Sequence, residues 1–539
     1  MSIDPGAELT DSYRKFRALS REAMRSFEKG RFGAAAVQAQ LAPGHAVFHH
    51  PGIWASPELE RMLTAIGRET LSPAVAMARK PAGAAVERVL HVLTRVAPIG
   101  GHSRMAWRWI NEDRGRSHSV VLTRQGARPV PPELEHAVRQ RNGTLRILNR
   151  TRGTALTWAK QLRDLAVGFD IVVMHLFAED VIPLIAFADR VTLPPIVFVD
   201  QADHAFSMGA ALSDLYIGLR DSGIQLAVDR RGVAPERTAL LPITLPPIER
   251  STSRDAAKRR LGFAVDDVVL VSVARAQKYI PHKGEHYTGP FVELLDGDPT
   301  VRLVVVGPDI DDTWTRVERQ TNGRIRAFPA RPDTKIFYEA ADIYVDSFPA
   351  VSNTSLLEAG SHSLPLVSRC PVPGPHTIFC ADAPGISRVL IRAADRRQLV
   401  DELSGLVRDA PRRAALGEAT RRAIRVAHTG VGWQSTLEQV YERALAVSPC
   451  TQVPSGSDCS TQDALDLHWS EVFGNDVTVD EIRSWFMTGL PIDLRVRTWL
   501  DISMRQRRFR PQLLLPEYTA GHLRELPTHL RRFSARLFD

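Results

Sequence analysis

The chain has 539 residues, 44% of them hydrophobic and 24% charged, with a formal charge of +8. That length exceeds what one hydrophobic core organises, and the balance is that of a globular protein, so two large domains with additions are expected. Arginine is spread along the whole sequence, which fits general composition as easily as a nucleic-acid surface, and no nucleic-acid partner is expected.

The opening Met-Ser-Ile-Asp-Pro-Gly-Ala-Glu lacks a basic-then-apolar leader, and no run of about 18 apolar residues follows, so a cytoplasmic protein without a transmembrane span is expected. Residues 11–72 are helical in pattern, and Ala23, Phe27, Phe32, Ala35 and Ala36 outline a helical hairpin turning at Lys29-Gly30-Arg31. Residues 1–85 read as a helical appendage that packs on the body or on a protein partner; no second copy of the hairpin makes it a repeat.

From Val86 the texture changes to short apolar runs at 89–93, 119–123, 145–148, 170–174 and 196–199, separated by helical stretches. Nearly continuous apolar strands between helices indicate a parallel sheet covered on both faces. Pro242 to Pro247 forms a stiff connector, and a second set of runs follows at 268–273, 303–306, 324–327, 343–345 and 366–367. The predicted fold is therefore α/β: two tandem doubly wound, Rossmann-like domains at 86–247 and 248–447, with their carboxyl ends facing one cleft. The helical stretch from Gly432 has the position to cross back to the first domain. A Ser/Gly/Pro-rich linker at 448–462 then leads to a helical C-terminal appendage at 463–539. Its run Arg505-Gln-Arg-Arg-Phe-Arg510 reads first as a solvated helix face and second as a peripheral contact for acidic lipid. Four cysteines, Cys370, Cys380, Cys450 and Cys459, are too few for a disulfide scaffold and lack C-x-x-C spacing.

Two segments carry the chemistry. After the strand 343–345, Ser352-Asn-Thr-Ser355 clusters where a helix begins and Glu358 lies one turn inside it, an arrangement that presents free N–H groups and hydroxyls to an anion. After the strand 268–273, Arg275 and Lys278 emerge together, with Lys283 close behind, and cations there can neutralise a diphosphate and stabilise it as a leaving group. These two segments, Arg275-Ala-Gln-Lys278 and Asn353-Thr-Ser-Leu-Leu-Glu358, resemble the donor half of a GT-B-fold glycosyltransferase of the O-GlcNAc transferase and HMW1C-like branch. That branch carries Gln-x-x-Lys after the first strand and a His/Asn-Thr-Thr run followed three residues later by an acid; Arg275 stands where Gln is usual. The resemblance implies that Lys278 meets the phosphates of a UDP-sugar, that Thr354 and Ser355 donate to the diphosphate, and that Glu358 holds the ribose. It further implies that the strand end with Arg326, Ala327 and Phe328 holds the base.

A broad retaining family with a Glu-x7-Glu motif would place its first acid eight residues before Glu358, where this chain has Ala350, so an inverting reaction is favoured. Such a displacement needs a general base. His102, behind Gly100-Gly101, and His204, in Asp-His-Ala-Phe206, are the candidates; an imidazole titrates near neutrality and takes an acceptor proton. The Asp-His-x-Phe pattern resembles a segment of bacterial relatives of the branch and tips the preference to His204, with Asp203 to orient or charge-stabilise the acceptor. His175 reads as a cleft-wall or core histidine. Asp309 and Asp311 match Asp-x-Asp but follow a strand of a doubly wound domain, where they cap a helix; His282 and His286 have i, i+4 spacing without a third ligand; no metal and no cofactor beyond the sugar nucleotide is expected. The acceptor, whether glycan, protein or small molecule, is open. Two other functions fit the same fold: a sugar-nucleotide epimerase or hydrolase, and a non-catalytic sugar-nucleotide-binding assembly protein.

Overall fold

The computed structural model describes residues 4–71, 79–98, 100–372, 374, 376–451 and 462–519; Cys459, most of the 448–462 linker and the appendage beyond Thr519 lie outside them. Strands β1 (Arg88–Leu93), β2 (Ser117–Leu122), β3 (Leu145–Ile147), β4 (Ile171–His175), β5 (Ile196–Asp200), β6 (Leu215–Gly218) and β7 (Thr238–Leu240) form one sheet. Strands β8 (Val268–Val273), β9 (Val301–Val306), β10 (Ile325–Phe328), β11 (Ile343–Val345), β12 (Leu366–Arg369) and β13 (Leu390–Ala393) form the other. Their orders are β3-β2-β1-β4-β5-β6-β7 and β10-β9-β8-β11-β12-β13, parallel throughout. In each sheet the order reverses once, between β1 and β4 and between β8 and β11, and at such a reversal the crossover helices diverge and leave a crevice at the carboxyl ends.

Alternation along the strands assigns the two faces of the first sheet. Leu90, Val92, Val172, Met174 and Phe198 face a core that also contains Phe16, Leu19 and Ala23 of the N-terminal helix Pro5–Glu28 and Ile482, Phe486 and Met487 near the C-terminus. Both terminal helical segments therefore close the first domain's core. The hairpin turn falls at Lys29–Arg31, with Gly30 at φ +68°.

Val89, Val173 and Val197 face the opposite core, which is completed by the helix Gly430–Ala446 through Trp433, Leu437, Val440 and Tyr441. This helix comes after the second domain in sequence yet packs on the first. Trp433 donates to the Pro242 carbonyl at 2.8 Å, and Trp109 donates to the Tyr441 hydroxyl at 3.0 Å.

Three strands escape the apolar-run reading: β6 is Leu-Tyr-Ile-Gly, β7 is only Thr-Ala-Leu, and β13 is interrupted by Arg392. Cys370 and Cys380 are joined by a disulfide that closes the loop after β12, a pairing that the search for C-x-x-C spacing does not reveal. Among the described residues no helix is long and apolar enough to cross a membrane.

Trp433 is fully buried against Trp109. Trp433→Ala is expected to destabilise the fold by about 3–5 kcal/mol, the usual range for emptying a buried aromatic site. Equilibrium urea unfolding checks this, and a loss under about 1 kcal/mol would mean that the crossing helix is not a packing element.

Candidate active site

The loops that leave the two reversal points face each other across one cavity of about 1160 Å³. From the second domain, β8 delivers Arg275 and Lys278, and β11 delivers the turn into the helix Asn353–Ser361. The turn is shaped by Asp346, which the motif reading passed over. Its Oδ1 accepts from the backbone of Ser347 at 2.9 Å and of Ser352 at 3.1 Å, and its Oδ2 from the Ser368 hydroxyl at 3.1 Å. Burial pushes this carboxyl up to about 6, against the opposing pull of the Ser352 N–H and Lys278.

Lys278 donates to the Val351 carbonyl and lines the cavity. Burial lowers its pKa to about 8; Asp346 works against that shift, while Arg275 and Arg220 add to it. Arg275 is exposed beside it. At the helix start Ser352 donates to the Ser355 hydroxyl at 3.2 Å, and the buried Asn353 Oδ1 has no partner. A free helix N-terminus, two cations and unsatisfied polar groups thus converge, which is the composition of an anion site.

The first domain closes over that site. Gly100 has φ +131°, a conformation that side chains rarely adopt, and a Cβ there would stand 2.6 Å from Arg275 Nη2; one on Gly101 would stand 3.1 Å from Thr354 Oγ1. Glu358 Oε1 accepts from Arg108 at 2.7 Å and Arg104 at 3.3 Å, both on the helix Gly101–Glu112. No motif pointed to these arginines, because they belong to the other domain. Tyr338, buried with an unpartnered hydroxyl, and Arg331, stacked over Phe328 at 5.1 Å, also line this end.

Several expected contacts fall elsewhere. Lys283 is exposed in the turn after Lys278 and does not line the cavity. Arg326 donates to the Leu261 carbonyl at 2.8 Å and covers the Phe263 ring, and Phe328 packs on Phe337, so neither reaches the cavity. Asp311 caps the helix Asp312–Gln320 through the Thr313 and Trp314 amides. His286 bonds Thr288 at 2.8 Å and packs against the Trp314 ring at 4.8 Å.

The two candidate histidines differ in their surroundings. His204 is 38% exposed, stacks on Phe473, and has Asp203 at 3.6 Å. That carboxylate is not free for an acceptor: Arg220 grips it with Nε at 2.5 Å and Nη2 at 2.9 Å, and reaches Asp382 at 2.8 Å. Burial opposes ionisation of Asp203, but Arg220 outweighs it and holds the carboxyl well below the usual range. His102 lines the cavity against Phe177, its buried Nε2 unpartnered. Burial lowers its pKa to about 4, partly offset by a hydrogen bond to the His175 carbonyl. With Nε2 unpartnered, that bond falls to Nδ1.

His175 itself belongs to a buried chain beneath the cavity floor. Gln201 Nε2 lies 2.7 Å from His175 Nδ1, His175 Nε2 3.0 Å from His91 Nδ1, His91 Nε2 2.9 Å from His118 Nδ1, and His118 Nε2 3.1 Å from Asp113 Oδ2. Read from the glutamine, which can only donate from that nitrogen, His175 and His91 carry their protons on Nε2. Burial depresses His91 and His175 well below the ordinary histidine range, in keeping with neutral rings.

The paired parallel sheets with a cleft between them define the GT-B glycosyltransferase fold. A variant of the O-GlcNAc transferase of Thermobaculum terrenum superposes with a TM-score of 0.51 at 18% identity, over 82% of this chain and 85% of that one. A glycosyltransferase of Rickettsia africae superposes with a TM-score of 0.50 at 9% identity, over 67% and 99%. In sequence, the D-inositol 3-phosphate glycosyltransferase of Corynebacterium aurimucosum is 28% identical over 243 residues, 41% of this chain and 51% of that protein. The chain thus spans about half the length of the curated relative it matches. No family model matches it.

Removing Arg220 would take from the buried Asp203 carboxylate its bidentate partner and from the partly exposed Asp382 its ion pair. Arg220→Ala is expected to cost about 3–5 kcal/mol, as is usual when one partner of a buried pair is deleted, while His204→Ala at a half-exposed ring costs under about 1 kcal/mol. Thermal and urea unfolding of the two variants separate these outcomes.

Proposed function

We propose that the protein is an inverting glycosyltransferase that takes a sugar from a UDP-linked donor and needs no metal for the chemical step. The observation that carries this reading is that the Arg275–Lys278 and Ser352–Ser355 anion site and His102 line one cavity. In this reading Lys278, Arg275 and the helix start hold the diphosphate. Glu358 meets the ribose through the oxygen not taken by Arg104 and Arg108, so that donor binding and domain closure share one carboxylate. His102 Nε2 removes the acceptor proton as the nucleophile attacks the anomeric carbon; the bond from that carbon to the phosphate oxygen breaks, and the clamp takes up the charge on departing UDP. The curated relative and the resemblance at Asn353–Glu358 support transfer rather than plain binding.

His102 is favoured over His204 because a carbonyl fixes its tautomer and leaves Nε2 without a partner on a ring that lines the cavity. His102→Ala is expected to lower turnover about 100-fold or more with UDP affinity unchanged, and His204→Ala less than about tenfold. Release of UDP from candidate donors, measured with and without acceptors, reads this out. Release that is independent of any acceptor would support the hydrolase or epimerase reading instead.

The amine with a pKa of about 8 gives a second test. An anion favours the protonated form, so UDP affinity is complete below pH 8 and falls as pH rises through it. The fall is up to about tenfold per pH unit until the higher pKa of the complex is reached. Calorimetric titration with UDP should show this slope in the parent protein, and Lys278→Ala should bind more weakly and without it. A slope that survives the substitution removes Lys278 from the clamp.

A further inference from the structure

His282 stands in the loop that follows Lys278, where its backbone pairs with Glu285 in both directions at 3.0 Å. His468 and Glu471 lie three residues apart on the helix Ala464–Phe473, and that spacing puts them on one face. The helix brings them to His282 across the boundary between the second domain and the C-terminal appendage. One ligand atom from each of the three residues falls within 4.8 Å of the other two, and His282 Nδ1 is 3.8 Å from Glu471 Oε2.

The surroundings suit a closed site. The His282 ring meets Phe348 at 5.4 Å and His468 at 5.1 Å, and Phe379 covers His468 at 4.8 Å. Both histidines are buried, while the Glu471 side chain is 34% exposed. His468 Nε2 is also 3.4 Å from the Pro349 carbonyl, the sort of outer contact that fixes a ligand's ring orientation.

We propose that His282, His468 and Glu471 bind one zinc-class divalent ion that fastens the C-terminal helix to the loop carrying Lys278, with water as the fourth ligand. Two imidazoles and one carboxylate match zinc, whereas magnesium and calcium demand oxygen shells. Zinc holds N and O ligands at roughly 2.0–2.2 Å, which sets them about 3.4 Å apart. Closing from 4.8 Å needs small rotations, and the exposed Glu471 has the freedom to make them. The ion has a structural role here, separate from the chemistry at His102.

The test uses the full chain stripped of metal with a chelator and titrated with zinc chloride, cobalt chloride and magnesium chloride. One tight equivalent of zinc is expected, with a rise in melting temperature, cobalt absorption bands of a four-coordinate site, and no response to magnesium. The chain has 17 histidines, so zinc will also meet other sites, and the variants decide. Glu471→Gln, at a position exposed enough to leave folding intact, should weaken that equivalent about tenfold or more, and His468→Gln should abolish it. Absence of a stoichiometric zinc, or the same affinity in parent and Glu471→Gln, overturns the proposal.

Discussion

The cavity depends on one buried carboxylate. Asp346 is 3% exposed, yet it holds the chain between β11 and the helix Asn353–Ser361 through two backbone amides and a serine hydroxyl. Without those bonds the amides of Ser347 and Ser352 would be buried and unsatisfied, a cost of about 1–3 kcal/mol each. The carboxylate also supplies the negative charge that lets Lys278 approach so closely while losing its own hydration. Asp346 thus sets both the direction of the helix start and the depth of the cation beside it.

Charge pairing across the cleft follows the same logic. Arg220 joins Asp203 of the first domain to Asp382 of the second and also donates to the carbonyls of Ile378 and Cys380. Arg220 and Asp203 are buried while Asp382 is partly exposed, so the contacts that cross between the domains are those from Arg220 to Asp382 and to the two carbonyls, and parting the domains must rehydrate that guanidinium edge. Arg104 and Arg108 at Glu358 are less deeply buried, and in the proposed reading their partner is also the carboxylate that meets the ribose. Both sets join the two domains; under the proposed function only the second would also meet the donor.

The strands were legible because a parallel sheet covered on both faces makes its strands nearly continuous apolar runs, as in Val268–Val273 and Ile196–Val199. β7 and β13 were not, being short or interrupted by a charge at the sheet edge, where burial is incomplete. At the site, Arg275, Lys278 and the Asn353–Glu358 helix start could be located since each follows a strand directly. Lys283 looked equivalent to Lys278 by proximity, but the turn at 283–284 carries it into solvent. Arg104, Arg108 and Tyr338 lay hidden because their significance is tertiary: nothing local marks a helix arginine that meets a glutamate 250 residues away.

The two histidines illustrate the same limit. His204 has the stronger local pattern, an adjacent aspartate, and adjacency suggests an acid–base pair. Folding gives that aspartate a bidentate Arg220 and stacks the ring on Phe473, so Asp203, still 3.6 Å from the imidazole, is shared with a stronger partner. His102 has no acidic neighbour in sequence, yet its ring is oriented by the carbonyl of His175, whose own side chain is locked in the chain running to Asp113. A base held by a backbone carbonyl stays neutral and ready across the physiological pH range, whereas a carboxylate partner would raise its pKa and leave it protonated more of the time. In the proposed transfer His102 is therefore unprotonated at neutral pH, in exchange for lower basicity than an imidazole at its ordinary pKa.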